Sequence, residues 1–505
     1  MRRPLIRRLI VSGDGRAATG ILRSQRGDLR LHARKFFSEF QHRLILLGHV
    51  ALQVRVALFE VRESLGIGHG GRMRVARSVA NLRVCEIAMR LLSCLCLLVV
   101  SVALSSCQHS AAPVAARPKD ELLILVSIDG FRWDYLDRYD VPTLRQLARE
   151  GTHARRMTPS FPSKTFPNHY TLVTGLRPES HGIVSNWFWD PAFTETFGMS
   201  KDASNAESRW WDQGEPIWIT AEKQGVRSAC FFWPGSETEI RGVRPTFFQK
   251  FNGKLKSESR VDGVLAWLDL PAKQRPRFYT LYFDIVDHAG HNFGPDSPET
   301  AAAAHEADAA IARLLAGLES RGLRQKANLV IVSDHGMSEC GPDRVVFIED
   351  LMDPAKVRVE STGPNGGVRP LPDTVSAAEL AASIRAKAPP QLHVYLREEM
   401  PAHLHYRNNP RIPDVMLVMD DHWMIESKIG WPRRRATYVK GSHGWDPSLP
   451  NMGALFVAQG PAFRGGHQFA DVENIHLYNL LCTVLGVAPA RNEGDARLVR
   501  EAMAR

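Results

Sequence analysis

The chain contains 505 residues, including seven cysteines, and carries a formal net charge of +10. This length accommodates two or three domains. The positive charge is concentrated in the first 88 residues, which hold 17 Lys+Arg against 6 Asp+Glu and leave the rest of the chain close to neutral. The basic balance is therefore no sign of nucleic-acid binding, and we expect no nucleic-acid-binding role.

A short apolar stretch near residue 100 predicts an export signal. Met89 and Arg90 precede Leu91–Leu104, which is too short to span a bilayer comfortably and is typical of a signal peptide. The run Leu104-Ser105-Ser106-Cys107 resembles a bacterial lipobox, in which Cys107 is lipidated after cleavage. We therefore expect an exported bacterial lipoprotein, either periplasmic or anchored to the outer membrane.

These features divide the chain into four parts. Residues 1–88 are either upstream sequence ahead of the true start at Met89 or a basic leader ahead of a membrane-anchoring helix. Residues 89–107 form the signal segment, and residues 108–120 form a linker of small residues with two prolines. Residues 121–500 have the composition of a globular catalytic domain.

The cysteines beyond the leader exclude two classes of small stabilised fold. Only Cys230, Cys340 and Cys482 lie in the globular part, and they are widely spaced. Three such cysteines form neither a disulfide framework nor a cysteine zinc cluster, although one disulfide is left open.

From Glu121 onward, predicted strands alternate with predicted helices. The strands are continuous apolar runs, as in a sheet buried on both faces: Leu122–Ile128, Phe278–Val286, Leu329–Val332 and Ala454–Ala458. Capping residues and periodicity predict the helices Pro142–Glu150, Ser297 to about Gly322, and Ile475–Leu485. This alternation predicts an α/β fold with a mostly parallel central sheet and helices on both faces. A region rich in Pro and Arg, 340–440, predicts a small inserted lobe.

Three aspartates each follow one of these apolar runs: Asp129, Asp287 and Asp334. Each alone is weak evidence, because a strand-end aspartate is commonly a turn residue or a helix cap. Ligands of open α/β sheets gather beyond the carboxyl ends of the strands, so we expect the three carboxylates to converge. Without cations they would repel one another and their pKa values would rise. Their convergence therefore predicts divalent metal ions.

Histidines complete the predicted ligand set. Asp287 and His291 lie four residues apart, on one face if the turn is helical. His335 lies at a tight glycine turn, and His443 lies between glycines. We expect His288 to point elsewhere. A mixture of imidazole and carboxylate ligands favours zinc over manganese or iron.

Thr165 lies just before a predicted short helix, Asn168–Thr174, which Gly175 caps. An isolated threonine there would be a plain N-cap. Unpaired amides and the helix dipole at such an end favour an alkoxide and an anionic phosphate, and a bound metal lowers the hydroxyl pKa further. Beside the metal ligands, Thr165 is therefore the predicted nucleophile. Asn186 is a neutral donor suited to hold a phosphate oxygen as charge develops.

These stretches resemble the nucleotide pyrophosphatase/phosphodiesterase family of the alkaline phosphatase superfamily. The matching runs keep the family's order and spacing within residues 121–492: Ile128–Arg132, Lys164–Asn168, Gly175–Asn186, Asp287–His291, Ser333–Met337 and Gly441–Asp446. The resemblance implies an alkaline-phosphatase-like fold and two Zn²⁺ ions per chain. It assigns Asp287, His291 and His443 to one zinc ion. It assigns the other ion to Asp129, Thr165, Asp334 and His335.

The resemblance also implies a mechanism and a substrate class. Thr165 would attack phosphorus to form a covalent phospho-threonine, and water activated at the other zinc would release the monoester. Phe166 and a later aromatic would sandwich a nucleobase. That later position matches Phe251, where a tyrosine is more usual. Alkaline phosphatases proper use Ser and Arg on monoesters, so Thr165 with Asn186 favours diesters such as nucleotides or their derivatives.

Other functions compete with this interpretation. The same scaffold serves choline-phosphodiester, lysophospholipid and phosphonate hydrolases. The stretch 187–218 holds five of the eleven tryptophans, whose faces bind quaternary ammonium, although such residues are more often core. A catalytically silent, membrane-tethered binding protein is the alternative from another class, but no group needed for the chemistry is missing.

The predicted lipobox makes the mature N-terminus testable. We expect the natural product to begin at Cys107 and to carry a covalently attached lipid there, because cleavage at a lipobox leaves this cysteine as the first residue. Mass spectrometry of the protein from its native host measures this directly. A natural product that retains residues 1–88 would contradict the assignment, and a Cys107→Ser variant is the matched control.

Overall fold

The computed structural model describes residues 121–504, so the predicted leader, signal segment and linker lie outside the described residues. Two sheets organise this part of the chain, one of eight strands and one of four. In chain order their strands are β1 (Leu122–Ile128), β2 (Thr152–Ala154), β3 (Ser228–Phe231), β4 (Phe247–Gln249), β5 (Phe278–Phe283), β6 (Ala327–Val332), β7 (Val357–Ser361), β8 (Asn365–Pro370), β9 (Leu392–Leu396), β10 (Val415–Met419), β11 (Phe456–Gln459) and β12 (His467–Phe469).

Within residues 121–504, eight helices of seven residues or more pack around these sheets. They are α1 (Pro142–Glu150), α2 (Thr165–Thr174), α3 (Ile217–Lys223), α4 (Ser257–Leu268), α5 (Ile285–Phe293), α6 (Pro298–Ser320), α7 (Ala377–Arg385) and α8 (Leu477–Leu485). Shorter helices are Tyr135–Arg138, Pro178–His181, Asp202–Ala206, Ile348–Leu351, Trp431–Ala436 and Arg497–Ala502. Paired short strands are Trp187–Asp190 with Glu195–Gly198, Ser338–Glu339 with Gly441–Ser442, Val345–Phe347 with Met424–Glu426, and Met157–Thr158 with Val472–Glu473.

The large sheet is mostly parallel. Its order is β12-β2-β11-β6-β1-β5-β3-β4. The central strand β1 runs parallel to both neighbours, β5 and β6, and β3 runs parallel to β4 and β5. Only β11 is antiparallel to its neighbours, β6 and β2, in the described sheet. The predicted α/β class with a mostly parallel central sheet is confirmed.

Both faces of this sheet are covered, which explains the continuous apolar run of β1. Leu123 and Leu125 pack in the core that includes α2 and α8, whereas Ile124 and Val126 pack in the opposite core with α1, α4 and α6. All four side chains are fully buried. Each such side chain contributes about 1.5–3 kcal/mol by leaving water.

Several predicted boundaries differ from the observed ones. The predicted strand Phe278–Val286 ends at Phe283, because Asp284 turns the chain and forms a buried ion pair with Arg260 at 2.9 Å. Ile285 then begins α5. The strand predicted from Ala454 begins at Phe456, since Ala454 forms isolated bridges elsewhere. By contrast, β1 and α1 have the predicted ends.

The smaller sheet lies between β6 and β11 in the chain, within the region predicted as an inserted lobe. Its order is β7-β8-β10-β9, and all its described pairs are antiparallel. Its strands pack with α7 around a third apolar cluster that includes Leu380 and Leu417. This part of the chain therefore has a core of its own beside the large sheet.

Two further observations concern segments and cysteines within residues 121–504. No helix in this range combines the length and apolar character that crossing a bilayer requires. Cys230, Cys340 and Cys482 are all buried as free thiols, so the disulfide left open by the sequence is not formed among them.

Gly151 offers a test of how α1 packs on the sheet. A Cβ at this position would lie 2.2 Å from the carbonyl oxygen of Ala458 in β11, which is backbone and cannot move aside. We expect Gly151→Ala to destabilise the protein by about 1–3 kcal/mol through overpacking. The midpoint of urea-induced unfolding measures the loss. Gly341→Ala is the matched control, because no atom lies within 4 Å of its Cβ position; equal midpoints for the two variants would contradict this packing.

Candidate metal centre

Three adjacent parallel strands deliver the three predicted carboxylates to one edge of the sheet. Asp129 directly follows β1, and Asp334 lies two residues after β6. Asp287 lies in the first turn of α5, just beyond β5, rather than at the strand end itself. Because β6, β1 and β5 are neighbours running in the same direction, their carboxyl ends meet. The sheet order thus brings together residues far apart in the chain.

One group of ligand atoms is formed by Asp287, His291 and His443, as predicted from the resemblance. The Nε2 atoms of the two imidazoles are 3.2 Å apart, and Asp287 Oδ1 lies 3.4 Å from His291 Nε2 and 3.6 Å from His443 Nε2. Asp287 and His291 share one face of α5, as their spacing indicated. This group is partly open, since 29% of the His291 side chain is exposed.

A second group is buried beside it. His335 Nε2 lies 2.9 Å from Asp334 Oδ2, 3.4 Å from Asp129 Oδ1 and 3.4 Å from Thr165 Oγ1. Gly130 adopts a left-handed conformation (φ +67°), which lets its N–H donate to Asp334 Oδ1 at 3.2 Å. The rings of His335 and His443 stack with centroids 3.5 Å apart, so the two groups form one centre.

The three histidines are oriented alike. The Nδ1 atom of His291 contacts the carbonyl of Gly441, that of His443 contacts the carbonyl of Ser163, and that of His335 contacts its neighbour's carbonyl. A carbonyl oxygen only accepts hydrogen bonds, so each Nδ1 carries a proton. Each Nε2 therefore directs its lone pair into the centre. Such outer contacts fix the tautomer that a metal-binding imidazole needs.

The carboxylates also fit a cation. Asp129 Oδ1, Asp287 Oδ1 and Asp334 Oδ2 are buried oxygen atoms without a hydrogen-bond partner in the described protein. These are the same atoms that approach the imidazole Nε2 atoms. Orphaned carboxylate oxygens are costly in a dry site unless a cation binds them. The donor set of imidazole nitrogens and carboxylate oxygens therefore could bind metal, in agreement with the prediction.

The pKa values of the two buried aspartates are shifted in opposite directions. Burial raises the pKa of Asp129 well above its ordinary value, and the negative charges of Asp334 and Asp287 add to this effect. Burial acts in the same direction on Asp334, but the imidazoles of His335 and His169 outweigh it and hold its pKa well below the ordinary value. One carboxyl group therefore retains a proton while its neighbour is ionised.

The pKa values of the His443 and His335 imidazoles are also shifted in opposite directions. Burial lowers the pKa of His443 well below its ordinary value, as does the proximity of His335 and His291. Burial opposes the charge on His335 as well, but Asp334 outweighs it and the pKa is raised. The His443 imidazole is thus neutral and ready to donate an electron pair.

Helix α2 begins at Thr165, three residues earlier than predicted. Pro167 lies in the first turn of this helix, where a proline is tolerated because its missing N–H has no partner to lose. Thr165 is therefore the first helical residue. The N–H of Phe166 is already bonded to Asn186 Oδ1 at 2.9 Å, so it is not one of the unpaired amides that the sequence suggested.

This bond orients Asn186. Because the N–H of Phe166 can only donate, Oδ1 of Asn186 faces it and the Nδ2 group is left as a donor. Asn186 thus lies beside the first turn of α2, which carries Thr165, the predicted nucleophile.

An aromatic cavity of about 100 Å³ opens beside Thr165. Phe166 and Phe251 both line it, and Phe251 is 49% exposed. Phe166 packs against Trp211, whereas Phe251 packs edge-on against Phe232. The two rings are therefore held by different neighbouring side chains. The cavity has the flat walls that a planar ring requires. Its further lining residues are Met199, Asn205, Trp233, Pro234, Gly235, Glu237 and Tyr282.

Sequence reasoning missed two residues of the centre, Tyr282 and His169, and a buried lysine next to Thr165. The Tyr282 hydroxyl donates to Asp129 Oδ2 at 2.6 Å, yet Tyr282 looked like one more apolar strand residue. His169 lies 3.4 Å from Asp334 Oδ2, and its spacing of four from Thr165 was the available signal. Lys164 is buried beside Ser185, and burial lowers its pKa to about 8.

The described tryptophans of the stretch 187–218 lie mainly in the core. Trp210, Trp211 and Trp218 are each at most 2% exposed, whereas Trp187 is 39% exposed. The tryptophan stretch therefore offers little surface for a choline pocket.

Comparison with known proteins identifies the class that this fold and centre define. A family model described as type I phosphodiesterase/nucleotide pyrophosphatase matches residues 123–446. An uncharacterized pyrophosphatase/phosphodiesterase of Schizosaccharomyces pombe is 40% identical over 379 residues, which cover 74% of this chain and 78% of the relative. The chain belongs to the type I phosphodiesterase/nucleotide pyrophosphatase family, and the predicted resemblance is confirmed.

Animal relatives support the same assignment. Ectonucleotide pyrophosphatase/phosphodiesterase family member 1 of Homo sapiens is 38% identical over 74% of this chain and 40% of its own length. Venom phosphodiesterase of Macrovipera lebetinus is 38% identical over 76% of this chain and 45% of its own length. The chain spans less than half of these two proteins. At the level of the family, the prediction of a phosphodiesterase enzyme is confirmed.

Solved structures agree with the fold. Human ectonucleotide pyrophosphatase/phosphodiesterase 5 superposes with a TM-score of 0.71 at 32% identity, covering 76% of this chain and 99% of that chain. An inactive variant of the murine protein, in which a threonine is replaced by alanine, was solved with AMP and gives the same score and identity. The alkaline-phosphatase-like architecture is thus confirmed. These relatives are eukaryotic, so they give no support to a bacterial lipoprotein.

The raised pKa values of Asp129 and His335 make proton release measurable. In the metal-free protein both groups hold protons at a pH where ordinary carboxyl groups are ionised and ordinary imidazoles are largely neutral. A metal ion binds only their deprotonated forms, so we expect zinc binding to release protons and its affinity to increase as pH rises through these pKa values.

Calorimetry of zinc binding in buffers with different ionisation enthalpies measures the number of protons released. Asp129→Asn is the control, and it should release fewer protons because it lacks one of the two titrating groups. A binding heat that does not depend on the buffer would contradict this assignment of protons.

Proposed function

We propose that the chain hydrolyses phosphodiester or pyrophosphate bonds of nucleotides or their derivatives through a covalent phospho-threonine at a two-zinc centre. The observation that carries this proposal is the position of Thr165. Thr165 is the first residue of α2, and its hydroxyl lies 3.4 Å from His335 Nε2. Beside it lie carboxylates that each have one buried oxygen atom without a hydrogen-bond partner. Family membership supports the class of reaction.

The ligand groups described above suit two divalent cations. Asp287, His291 and His443 would hold one, and Asp129, Asp334, His335 and Thr165 would hold the other. Such cations, when bound, supply positive charge to a nucleophilic oxygen and to phosphate oxygens. The preference of the two ligand groups for zinc follows from their nitrogen and oxygen donor atoms.

Thr165 Oγ1 is the group that bonds to phosphorus. As this bond forms, the hydroxyl loses its proton to solvent and the bond from phosphorus to the leaving oxygen breaks. The leaving oxygen takes up a proton, which yields an alcohol or a nucleotide fragment. Water then attacks the same phosphorus, the bond to Thr165 breaks, and a phosphate monoester departs while the hydroxyl regains its proton.

Asn186 stabilises the charge that develops on phosphorus. The free Nδ2 group of Asn186 donates to a non-bridging oxygen, since its Oδ1 is held by Phe166. A neutral donor suits a diester, which carries one negative charge on phosphorus, better than an arginine would. Donors fixed in this way need no reorganisation during the reaction.

The aromatic cavity beside Thr165 supports nucleotides as substrates. A base between Phe166 and Phe251 would place its phosphate next to Thr165, because Phe166 adjoins Thr165 in α2 and both line the same cavity. The AMP complex of the murine relative supports this class. The choline alternative loses the support of the tryptophan stretch, because three of its five tryptophans are core residues.

Export is a separate proposal that rests on the sequence of residues 89–107 alone. We propose that the domain acts outside the cytoplasm and is held at a membrane through lipidated Cys107.

Replacing the nucleophile is the direct test of the mechanism. We expect Thr165→Ala to lower kcat for a diester by about a thousandfold or more, because no other hydroxyl lies in its place. The variant should fold normally and retain most of its zinc. Thr174→Ala is the matched control, since Thr174 ends the same helix and bonds only to Tyr170 O and Leu176 N. Undiminished diester hydrolysis by Thr165→Ala would refute the covalent step.

A substrate panel separates the proposed function from its rivals. We expect nitrophenyl-TMP to be cleaved with a much higher kcat/KM than nitrophenyl phosphocholine or nitrophenyl phosphate, because only the first carries a base for the aromatic cavity. Phe251→Ala should raise KM for nitrophenyl-TMP by roughly tenfold, the loss of one stacking contact worth about 1–3 kcal/mol. A preference for nitrophenyl phosphocholine would favour the choline function instead.

A further inference from the structure

His169 lies at the centre of the site without belonging to either predicted ligand group. It follows Thr165 by one turn of α2, and its side chain is fully buried. Trp233 and Tyr282 pack edge-on against its ring, with centroids 5.0 and 5.2 Å away. The imidazole is therefore held in one orientation.

Both ring nitrogens have defined partners. Nδ1 lies 2.9 Å from the carbonyl oxygen of Thr165 and 3.4 Å from Asp334 Oδ2. Nε2 lies 2.8 Å from the hydroxyl of Ser127, the last residue but one of β1. Because the carbonyl of Thr165 only accepts, Nδ1 carries the proton and donates. Nε2 of a neutral imidazole then accepts from Ser127.

One side chain thus contacts the three elements that carry the buried ligand group. Ser127 is two residues before Asp129 in the chain, Thr165 lies on the same helix as His169, and Asp334 faces the ring directly. We propose that His169 is a positioning residue that fixes the Thr165 main chain and the Asp334 carboxylate relative to β1, and thereby sets the affinity of the buried group for zinc.

A direct ligand role is the competing interpretation. Ligand atoms of His169, Asp129 and Asp334 all lie within 4.8 Å of one another. However, the protonated Nδ1 has no electron pair to give to a cation, and Nε2 is directed at Ser127. His335 presents its Nε2 to the same carboxylates with its own Nδ1 held by a carbonyl. The geometry therefore leaves the metal to His335 and the outer position to His169.

Outer residues of this kind typically change metal affinity or activity by about 10- to 100-fold when they are removed. Two substitutions separate the roles of the two ring nitrogens. Asn places an amide nitrogen close to the position of Nδ1, and it can still donate to the Thr165 carbonyl. Gln extends toward the position of Nε2 and Ser127, and it leaves that carbonyl without its donor.

The experiment is a competition titration of zinc alone against a chelating dye, on the full chain, for His169→Asn and His169→Gln. We expect His169→Gln to weaken the tighter, buried zinc site by about 10- to 100-fold and His169→Asn by less than about threefold, with two ions still bound at saturation. In diester hydrolysis, kcat should fall more in His169→Gln than in His169→Asn. KM should change little in both variants, because the imidazole does not line the substrate cavity.

His181 provides the matched control. It is also a fully buried histidine, and its ring contacts Thr171 Oγ1 at 3.0 Å and the carbonyl of Pro167. His181→Asn and His181→Gln should lower the unfolding temperature and leave zinc affinity within about twofold of wild type. A purely structural role for His169 would make both pairs of variants behave in this way.

The results distinguish each possibility. Wild-type zinc affinity in His169→Gln overturns the positioning role, and loss of one bound ion in both His169 variants shows a direct ligand instead. If the His169 variants do not fold, Ser127→Ala keeps the imidazole and removes only its outer contact. It should weaken zinc binding about threefold to tenfold without altering the number of ions, and unchanged affinity overturns the proposal. The inference rests on the metal centre proposed above: a wild-type protein that binds no zinc refutes that centre, whereas normal binding in His169→Gln refutes only the role of His169.

Discussion

The whole centre depends on the convergence of three carboxylates where water is scarce. Asp129, Asp287 and Asp334 each leave one oxygen atom without a donor. These atoms face the Nε2 atoms of imidazoles that carry their protons on Nδ1, against carbonyl oxygens. A protein that folds in this way accepts a large electrostatic cost at one edge of its sheet. Bound cations would remove that cost, and the same cations would supply the positive charge that phosphoryl transfer requires. Stability of the edge and chemistry at phosphorus therefore have one origin.

The two ligand groups differ in their access to solvent. Asp129, Asp334 and His335 are buried, whereas the Asp287 and His291 side chains are 15% and 29% exposed. Thr165, the proposed nucleophile, accordingly lies in the dry half of the centre, where electrostatic interactions are strong. The Asp287 and His291 half is the more accessible to solvent water. This asymmetry suits a reaction in which a protein oxygen attacks first and water attacks second.

Much of this arrangement could be predicted from the sequence, for physical reasons that differ from residue to residue. The ends of β1 and α1 were predicted correctly because the apolar run and the proline and glycine signals are local. The convergence of Asp129 and Asp334 followed from the rule for parallel strands. The start of α2 was predicted too late, because Pro167 is compatible both with a helix boundary and with a first turn. The parts played by His169 and Tyr282 were missed, because they depend on contacts between residues over 100 positions apart in the chain.

The direction of β1 has a practical consequence. The described chain begins at Glu121, at the start of β1, and reaches the carboxylates only at the other end of that strand, about 23 Å away at 3.3 Å per residue. The backbone at Glu121 therefore lies at the end of β1 remote from the metal centre. A solid support coupled to a side chain at this position would leave the centre unobstructed, which suits Glu121 to site-directed immobilisation.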